Sequence, residues 1–376
     1  MGTQSVYRQI YNDLMEKIIG GQYAAGDRIP SETELCDTYG VSRITSKRAL
    51  DLLADEGLII RKPGKGSFVI SNNRIPSGAS DSKSIGFILP DFSDSFGTKL
   101  LYSIEESCKT LGYHLILKRT RDQVAEEEEA IKALSGAAGI LLIPVHGALY
   151  NSEILKLIIE KRALVFVDRK MRGLAAPTIT TNNLEAAEEG TNSLFQLGHR
   201  NIAFFSGPVS HTSTVEDRHQ GYIQAHAKFG LRHNPAYICQ NLSSAWSGPY
   251  YTSKDVSADI EIVKKHLKTH PEISAAFTSE YIIAQIVKDA AEALGRKIAK
   301  DFSIVTFDTP PSITEIPPFT HMRQDEYAMG KEAVQTLERI IAGNFAGQAE
   351  DILIPAKLVN GSSTGAMASG KGRKNE

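Results

Sequence analysis

The sequence predicts a multidomain protein. A small α+β unit at the N-terminus, a helix-turn-helix with a wing, is followed by a two-lobed α/β body on parallel sheets. Three observations carry this expectation. Two helix starts separated by a turn glycine stand between Arg28 and Asp55, and a basic, glycine-rich hairpin pattern follows over 58–70. From Ile85 onward, short apolar runs alternate with longer helical patterns, the texture of βαβ units.

In chain order, Tyr7–Ile19 reads as an amphipathic helix, with Ile10, Tyr11, Leu14 and Ile18 at helical spacing and Gly20-Gly21 as its stop. Ser31 with Glu34 three residues later is a capping box that opens a second helix, which Tyr39-Gly40 ends. Ser42 is the N-cap of a third. Its apolar residues Ile44, Ala49, Leu52 and Leu53 are expected on the buried side, with Arg43, Thr45, Lys47 and Arg48 on the other. Basic and hydroxyl residues in the first turns of such a helix suit the major groove. Arg43 can fork onto a guanine edge, and Thr45 can reach a base or a thymine methyl. Leu58–Lys62 and Ser67–Ile70 flank the tip Pro63-Gly64-Lys65-Gly66, a basic hairpin that would put Lys65 near a phosphate or in the minor groove.

Ser71–Ser84 has no apolar period and is rich in Ser, Asn, Gly and Pro, so it reads as a linker. The domain division is therefore 1–70, a 71–84 linker, a body over 85–359, and a small, polar, basic tail over 360–376 expected to be disordered. In the body, Ile85–Leu89, Tyr113–Leu117, Ile140–Ile143, Leu164–Val167, Asn201–Phe205, Ala275–Thr278 and Ser303–Phe307 are the expected strands. Leu100–Leu111, Ala125–Leu134, Leu184–Leu197 and Ile282–Leu294 are expected helices, with Glu126–Glu129 as a solvated helix start. So many strands fit two lobes better than one sheet.

Ligands of open parallel sheets sit beyond the carboxyl ends of the strands. That rule selects Asp91, Phe92 and Ser93, His146, Asp168 and Arg169, Gly207 and Pro208, Glu280 and Asp308, with Arg218 and Gln324 in segments that could return to the same face. Several carboxylates, an arginine and an amide suit a polyhydroxylated ligand. The single tryptophan, Trp246, is the candidate ring for its apolar face.

Composition fits this picture and narrows it. The 376 residues are 41% hydrophobic and 23% charged with net charge -2, so DNA binding must rest on local charge. Between Val41 and Gly66 there are six Lys/Arg against three acids. Affinity built on phosphate contacts would fall steeply with salt. Cys36, Cys108 and Cys239 have neither metal spacing nor a C-x-x-C, which suits a reducing cytoplasm. No apolar run suits a signal peptide or a membrane span, and no P-loop is present.

The motifs G-D-R-I-P-S-E-T-E-L, G-V-S-R-I-T-S-K-R-A-L and G-K-G-S-F-V make Tyr7–Val69 resemble the GntR-type winged helix. The resemblance implies DNA contacts at Ser42, Arg43, Thr45, Lys47 and Gly64, with Thr33 at a position that is often Arg in the family. Residues 84–359 resemble the effector domain of the lactose/galactose repressor family, similar to periplasmic sugar-binding proteins. The carrying motifs include I-G-F-I-L-P-D at 85–91, V-F-V-D-R at 165–169, E-D-R-H-Q-G-Y at 216–222, A-A-F-T-S-E at 275–280 and D-F-S-I-V-T-F-D at 301–308.

This second resemblance implies effector contacts at Asp168, Arg218, Trp246, Glu280, Asp308 and Gln324, with Glu280 departing from the usual Asp or Asn. The combination resembles regulators of the arabinose-repressor type. It implies a cytoplasmic homodimer on a palindromic operator, released by a monosaccharide such as L-arabinose, with no cofactor and no membrane partner. The alternatives are a sugar-binding receptor and a sugar-modifying enzyme. The intact head argues against the first. No nucleophile elbow, metal cluster or His-centred triad supports the second.

Overall fold

The computed structural model describes residues 6–70, 83–91, 95–147, 151–171, 173–208, 212–245, 252–308, 316–344 and 351–367. The head contains α1 (Val6–Ile19), β1 (Arg28–Ile29), α2 (Glu32–Tyr39), α3 (Arg43–Asp55), β2 (Ile59–Lys62) and β3 (Gly66–Val69). The Ser31 capping box forms as expected. The Ser31 amide donates to Glu34 Oε2 at 2.6 Å, and Ser31 Oγ accepts from the Glu34 amide at 3.3 Å. Gly40 closes α2 in the left-handed conformation (φ 63°), where a Cβ would be strained, and this lets the chain turn at once into α3. β2 and β3 pair antiparallel with Ile59 opposite Val69 and Lys62 opposite Gly66, and β1 joins the far side of β3. The hairpin is therefore a wing tied back to the start of α2.

The expected buried side of α3 needs correction. Ser46, Ala49, Leu50 and Leu53 face the core, a clean i, i+3, i+4, i+7 stripe. Ile44 lies off that stripe and is 80% exposed. Leu52 is only half-buried. A serine takes the inward position because its hydroxyl is satisfied there, 3.3 Å from Cys36 Sγ and donating to the Arg43 carbonyl at 3.2 Å.

The body is two lobes on parallel sheets. The first contains β4 (Ser84–Leu89), α4 (Thr98–Thr110), β5 (His114–Arg119), α5 (Val124–Ala133), β6 (Gly139–Leu142), α6 (Ser152–Ile159), β7 (Leu164–Val167) and β8 (Thr178–Thr181). The second contains α7 (Asn183–Gln196), β9 (Ile202–Phe205), α8 (Ser213–Lys228), β10 (Ile238–Cys239), α9 (Ser253–Thr269), β11 (Ala275–Thr278), α10 (Tyr281–Ala293), β12 (Ser303–Phe307) and β13 (Thr320–Arg323). The chain then returns to the first lobe for α11 (Glu326–Ile341) and β14 (Asp351–Ile354), and crosses again for β15 (Lys357–Val359).

The strand orders are β14-β8-β7-β6-β4-β5 and β10-β9-β11-β12-β13-β15, all neighbours parallel except β13 and β15. Four-residue strands such as β6, β7, β9 and β11 are buried throughout, as both-face coverage by helices requires. The sequence showed seven of these strands. β8, β10, β13, β14 and β15 were not recognised, because they are short, polar or isolated from a helical pattern.

Three crossovers join the lobes, at Thr181–Asn183, Arg323–Glu326 and Ile354–Lys357. They are stitched together: the Asn182 amide donates to the Ile354 carbonyl at 2.9 Å, and Thr181 Oγ1 to Gln324 Oε1 at 2.6 Å. The head rests on the first lobe, where its core is continuous with Ile154 and Leu155 of α6. A Cβ at Gly57 would stand 3.0 Å from Lys156 Nζ, so the turn after α3 lies directly against that helix.

Three further expectations change. The linker expected over 71–84 ends before Ser84, which opens β4; residues 71–82 lie outside those described. The tail expected to be disordered over 360–376 is docked as far as Met367. Ser363 Oγ donates to the Ile304 carbonyl at 2.5 Å, and the Met367 amide to the Leu197 carbonyl at 2.8 Å. Its small side chains are the reason: a Cβ at Gly365 would fall 1.9 Å from the Ala299 carbonyl oxygen, so only glycine lets the strand lie that close. Finally, Glu127 is not solvated. It is fully buried and accepts from the Val145 amide and Asn151 Nδ2, both at 2.9 Å.

Candidate nucleic-acid interface and ligand cleft

On the head, Ser42 caps α3 by accepting from the Thr45 amide at 3.3 Å, and the two hydroxyls lie 3.0 Å apart. Ser42, Arg43, Lys47 and Arg48 are exposed and Thr45 is half-buried. Thr33, on α2, is exposed as well. At the wing tip Gly64 takes φ 72° with open space where a Cβ would point, and Lys65 beside it is exposed. Backbone at Gly64 can therefore approach another surface closely.

The local charge count is smaller than the sequence suggests. Arg61 is ion-paired within the head to Glu32 and Asp51, so it braces α2, α3 and β2 instead of facing a partner. Arg48 lies 4.3 Å over the Tyr7 ring and Lys62 5.0 Å over Phe68, which orients both cations without neutralising them.

The second site lies between the lobes. Asp168 follows β7 and Asp308 follows β12, at matching places in the two sheets. Both are non-glycine residues in the left-handed region, φ 64° and 76°. Each donates its amide to the next strand, Asp168 to the Ile179 carbonyl at 2.8 Å and Asp308 to the Met322 carbonyl at 3.2 Å. Neither caps a helix among the described residues, the commoner use of a strand-end acid. In both lobes the neighbouring strand holds this uncommon backbone in place.

Arg218 is buried against these acids. Its Nε donates to Asn183 Oδ1 at 2.8 Å and its Nη1 to the Ser279 carbonyl at 2.7 Å, with the guanidinium carbon 3.8 Å over the Phe307 ring. Gly221, one turn on, explains how it gets there. A Cβ at that glycine would stand 2.2 Å from the Leu184 carbonyl oxygen, so α8 crosses α7 at near backbone contact. Gln324 completes the floor at the crossover, donating to Asp308 Oδ1 at 2.6 Å while accepting from Thr181.

Electrostatics mark this cluster. Burial pushes the Asp308 carboxyl up to about 6, against the pull of Arg218 and Gln324. Burial, with the Asp308 charge second, pushes Glu280 up to about 7. Asp168 is raised by burial too, opposed by Arg169 and Arg218. Three buried acids near Arg218 and Arg169 cannot all ionise cheaply. Hydroxyl donors from a ligand would satisfy them.

The first-lobe wall was only partly foreseen. His146 Nδ1 lies 2.8 Å from Asp122 Oδ2 and 3.2 Å from Arg169 Nη1, and Arg169 Nε is 3.7 Å from Asp168 Oδ2. Asp122 and Asn183 were missed because they lie in a turn and at a helix start that no pattern distinguishes. Lys170 bridges the lobes: its amide donates to Ser213 Oγ at 3.0 Å and its ammonium is 3.4 Å from Asp217. Trp246, Phe92 and Ser93 lie outside the described residues. Among the described residues no group of His, Cys, Asp and Glu could hold a metal ion, and no helix is long and apolar enough to cross a membrane.

Comparison with known proteins places both parts. The family profile described as bacterial regulatory proteins, gntR family, matches residues 6–69, and the periplasmic binding protein-like domain matches 191–364. The chain is 25% identical over 372 residues to an arabinose metabolism transcriptional repressor of Geobacillus stearothermophilus, covering 96% of this chain and 98% of that protein. It is 26% identical to the transcriptional repressor CytR of Escherichia coli, over 75% of this chain and 80% of that one. Among solved structures it resembles the transcriptional regulator CelR in complex with cellobiose, with TM-score 0.67, 18% identity, and 96% and 100% of the two chains covered. It also resembles a regulator of Alkaliphilus metalliredigens in complex with D-xylulofuranose, with TM-score 0.60, 22% identity, and 75% and 99% covered.

Proposed function

We propose, for a chain that joins a gntR-family winged helix to a periplasmic-binding-protein-like domain, that it is a sugar-responsive transcriptional repressor. The observation that carries this reading is that Asp168, Arg218, Glu280 and Asp308 lie within electrostatic reach of one another, with Gln324 bonded to Asp308, in a chain whose head exposes Arg43, Lys47 and Lys65. Sugar hydroxyls donate to the three acids, and Arg218 supplies the opposite charge. The effector is a monosaccharide, with L-arabinose first among candidates because of the arabinose metabolism repressors among the relatives. The working form is a homodimer whose two heads span a palindromic operator in the cytoplasm. The relatives are regulators, which leaves the sugar-modifying enzyme without support.

The route from cleft to head runs through the first lobe. Val145 and Asn151, on either side of His146 in the chain, are both anchored on Glu127. Asn151 caps α6, and Lys156 of α6 lies against Gly57. Sugar that reorders the His146 wall would move α6 and shift the head. By linkage, operator DNA then weakens sugar binding by the same factor that sugar weakens DNA binding.

Calorimetry with a panel of pentoses and hexoses, followed by operator-release assays on the same proteins, tests the reading. One sugar should bind and release the operator. Binding without release would leave only a receptor, and a sugar returned chemically altered would restore the enzyme alternative.

A further inference from the structure

We propose that Ile44 reads a thymine in the operator through its 5-methyl group. The inference rests on the DNA-binding reading above and adds a specificity-determining side chain to it. Ile44 has the highest exposure of any large apolar side chain among the described residues, 80%. A single exposed isoleucine would ordinarily mean little, but its place gives it meaning. It is the second residue of α3, between Arg43 and Thr45, and its neighbours one turn on are Lys47 and Arg48. The exposed residues beside it on α3, Arg43, Lys47 and Arg48, are basic. The cations around it fit a polyanion.

Two further observations narrow the role. The core stripe of α3 is complete without Ile44, so the fold does not require an apolar residue there. The hydroxyls of Ser42 and Thr45 are engaged with each other at the cap, which leaves Arg43 and Ile44 as the large exposed side chains of the first turn. Arginine recognises a guanine edge, and the complementary apolar feature of the major groove is the thymine methyl. Isoleucine is branched at Cβ and stiff at χ1, so little rotamer freedom is lost when it is held against a base. Cytosine lacks the methyl group and would be rejected.

The test uses the full-length chain. Preferred duplexes are first selected from a random pool. Each thymine of the selected site is then replaced singly by deoxyuridine, which removes only the methyl. At one thymine per half-site the wild type should bind about fourfold more weakly, the value of one buried methyl group. Ile44→Ala should be indifferent to that replacement, and Ile44→Val should keep part of the penalty. Because the side chain is exposed, the variants should fold, and circular dichroism checks that they do. A wild type indifferent to deoxyuridine at every thymine overturns the inference, as does Ile44→Ala showing the same penalty. Either result leaves specific DNA binding standing. Selection that yields no preferred duplex overturns the DNA-binding reading and this inference together.

Discussion

The two lobes share a plan and differ in what they bury. Each is a parallel sheet that ends an inner strand in an aspartate with positive φ, Asp168 in the first and Asp308 in the second. Among the described histidines, the fully buried ones are in the second lobe. His199, His219, His226, His266 and His321 are all held below their ordinary values by burial, and all belong to it. In the first lobe, His114 is exposed at an edge strand and His146 is hydrogen-bonded to Asp122 in the cleft wall. The second lobe also supplies Arg218, Glu280 and Asp308, whereas the first carries the head. The difference is one of share: the second lobe supplies Arg218 and two of the three cleft acids, and the first supplies Asp168 and carries the head.

The strongest way to break that comparison is to remove Arg218. Arg218→Ala takes a buried cation away from Asp168, Glu280 and Asp308, a loss of about 3–5 kcal/mol in stability or effector affinity. Sugar-dependent operator release should disappear, while operator binding by the apo protein persists. Release retained at wild-type sugar concentrations would take Arg218 out of the pocket.

Acid should separate the buried groups of the second lobe next. An unfolded histidine takes up its proton near pH 6.5, while these five resist until the pH is lower. Their contribution to stability is therefore intact above about 6.5 and falls as the pH drops below it. Asp308 and Glu280 act in the opposite sense, since their raised folded values favour the folded state as the pH falls from about 7 towards their unfolded values. Hydrogen exchange across pH 7 to 5 should show amides beside these five histidines losing protection, while those beside Asp308 and Glu280 hold or gain it. Uniform loss would remove the distinction.

Packing gives a smaller contrast. A Cβ at Gly221 meets a backbone oxygen, whereas one at Gly86, in the first lobe, meets the flexible end of Leu134 at 2.6 Å. Gly221→Ala should cost about 1–3 kcal/mol in thermal unfolding. Gly86→Ala should cost less, because a side chain can turn away and a helix carbonyl cannot. The smallest effect concerns pH and affinity. If sugar hydroxyls donate to Glu280, affinity should rise by up to tenfold per unit as the pH climbs towards about 7 and level off above it. Glu280→Gln should flatten the profile.

Much of this was legible in the chain. The caps at Ser31 and Ser42, the turn at Gly40 and the wing register follow from local rules, because each is satisfied within a few residues. Asp168 and Asp308 were legible too, since a buried apolar run that ends in an acid marks the end of a strand. What eluded the sequence has a common cause. Ile44, Arg61 and Glu127 each have a fate set by residues distant in sequence: a core stripe fixed by three packed helices, acids on two neighbouring helices, and a loop across the sheet. Asn183 and Asp122 come near the candidate cleft only because the three crossovers bring the strand ends of the two sheets together.

The sequence by itself determined the elements, their order and the two-part division, because caps, turns and hydrophobic period act over one or two turns of chain. Only the tertiary structure decided which charges are spent inside the protein and which remain for a partner. That choice depends on burial, and burial is a property of the whole packed chain.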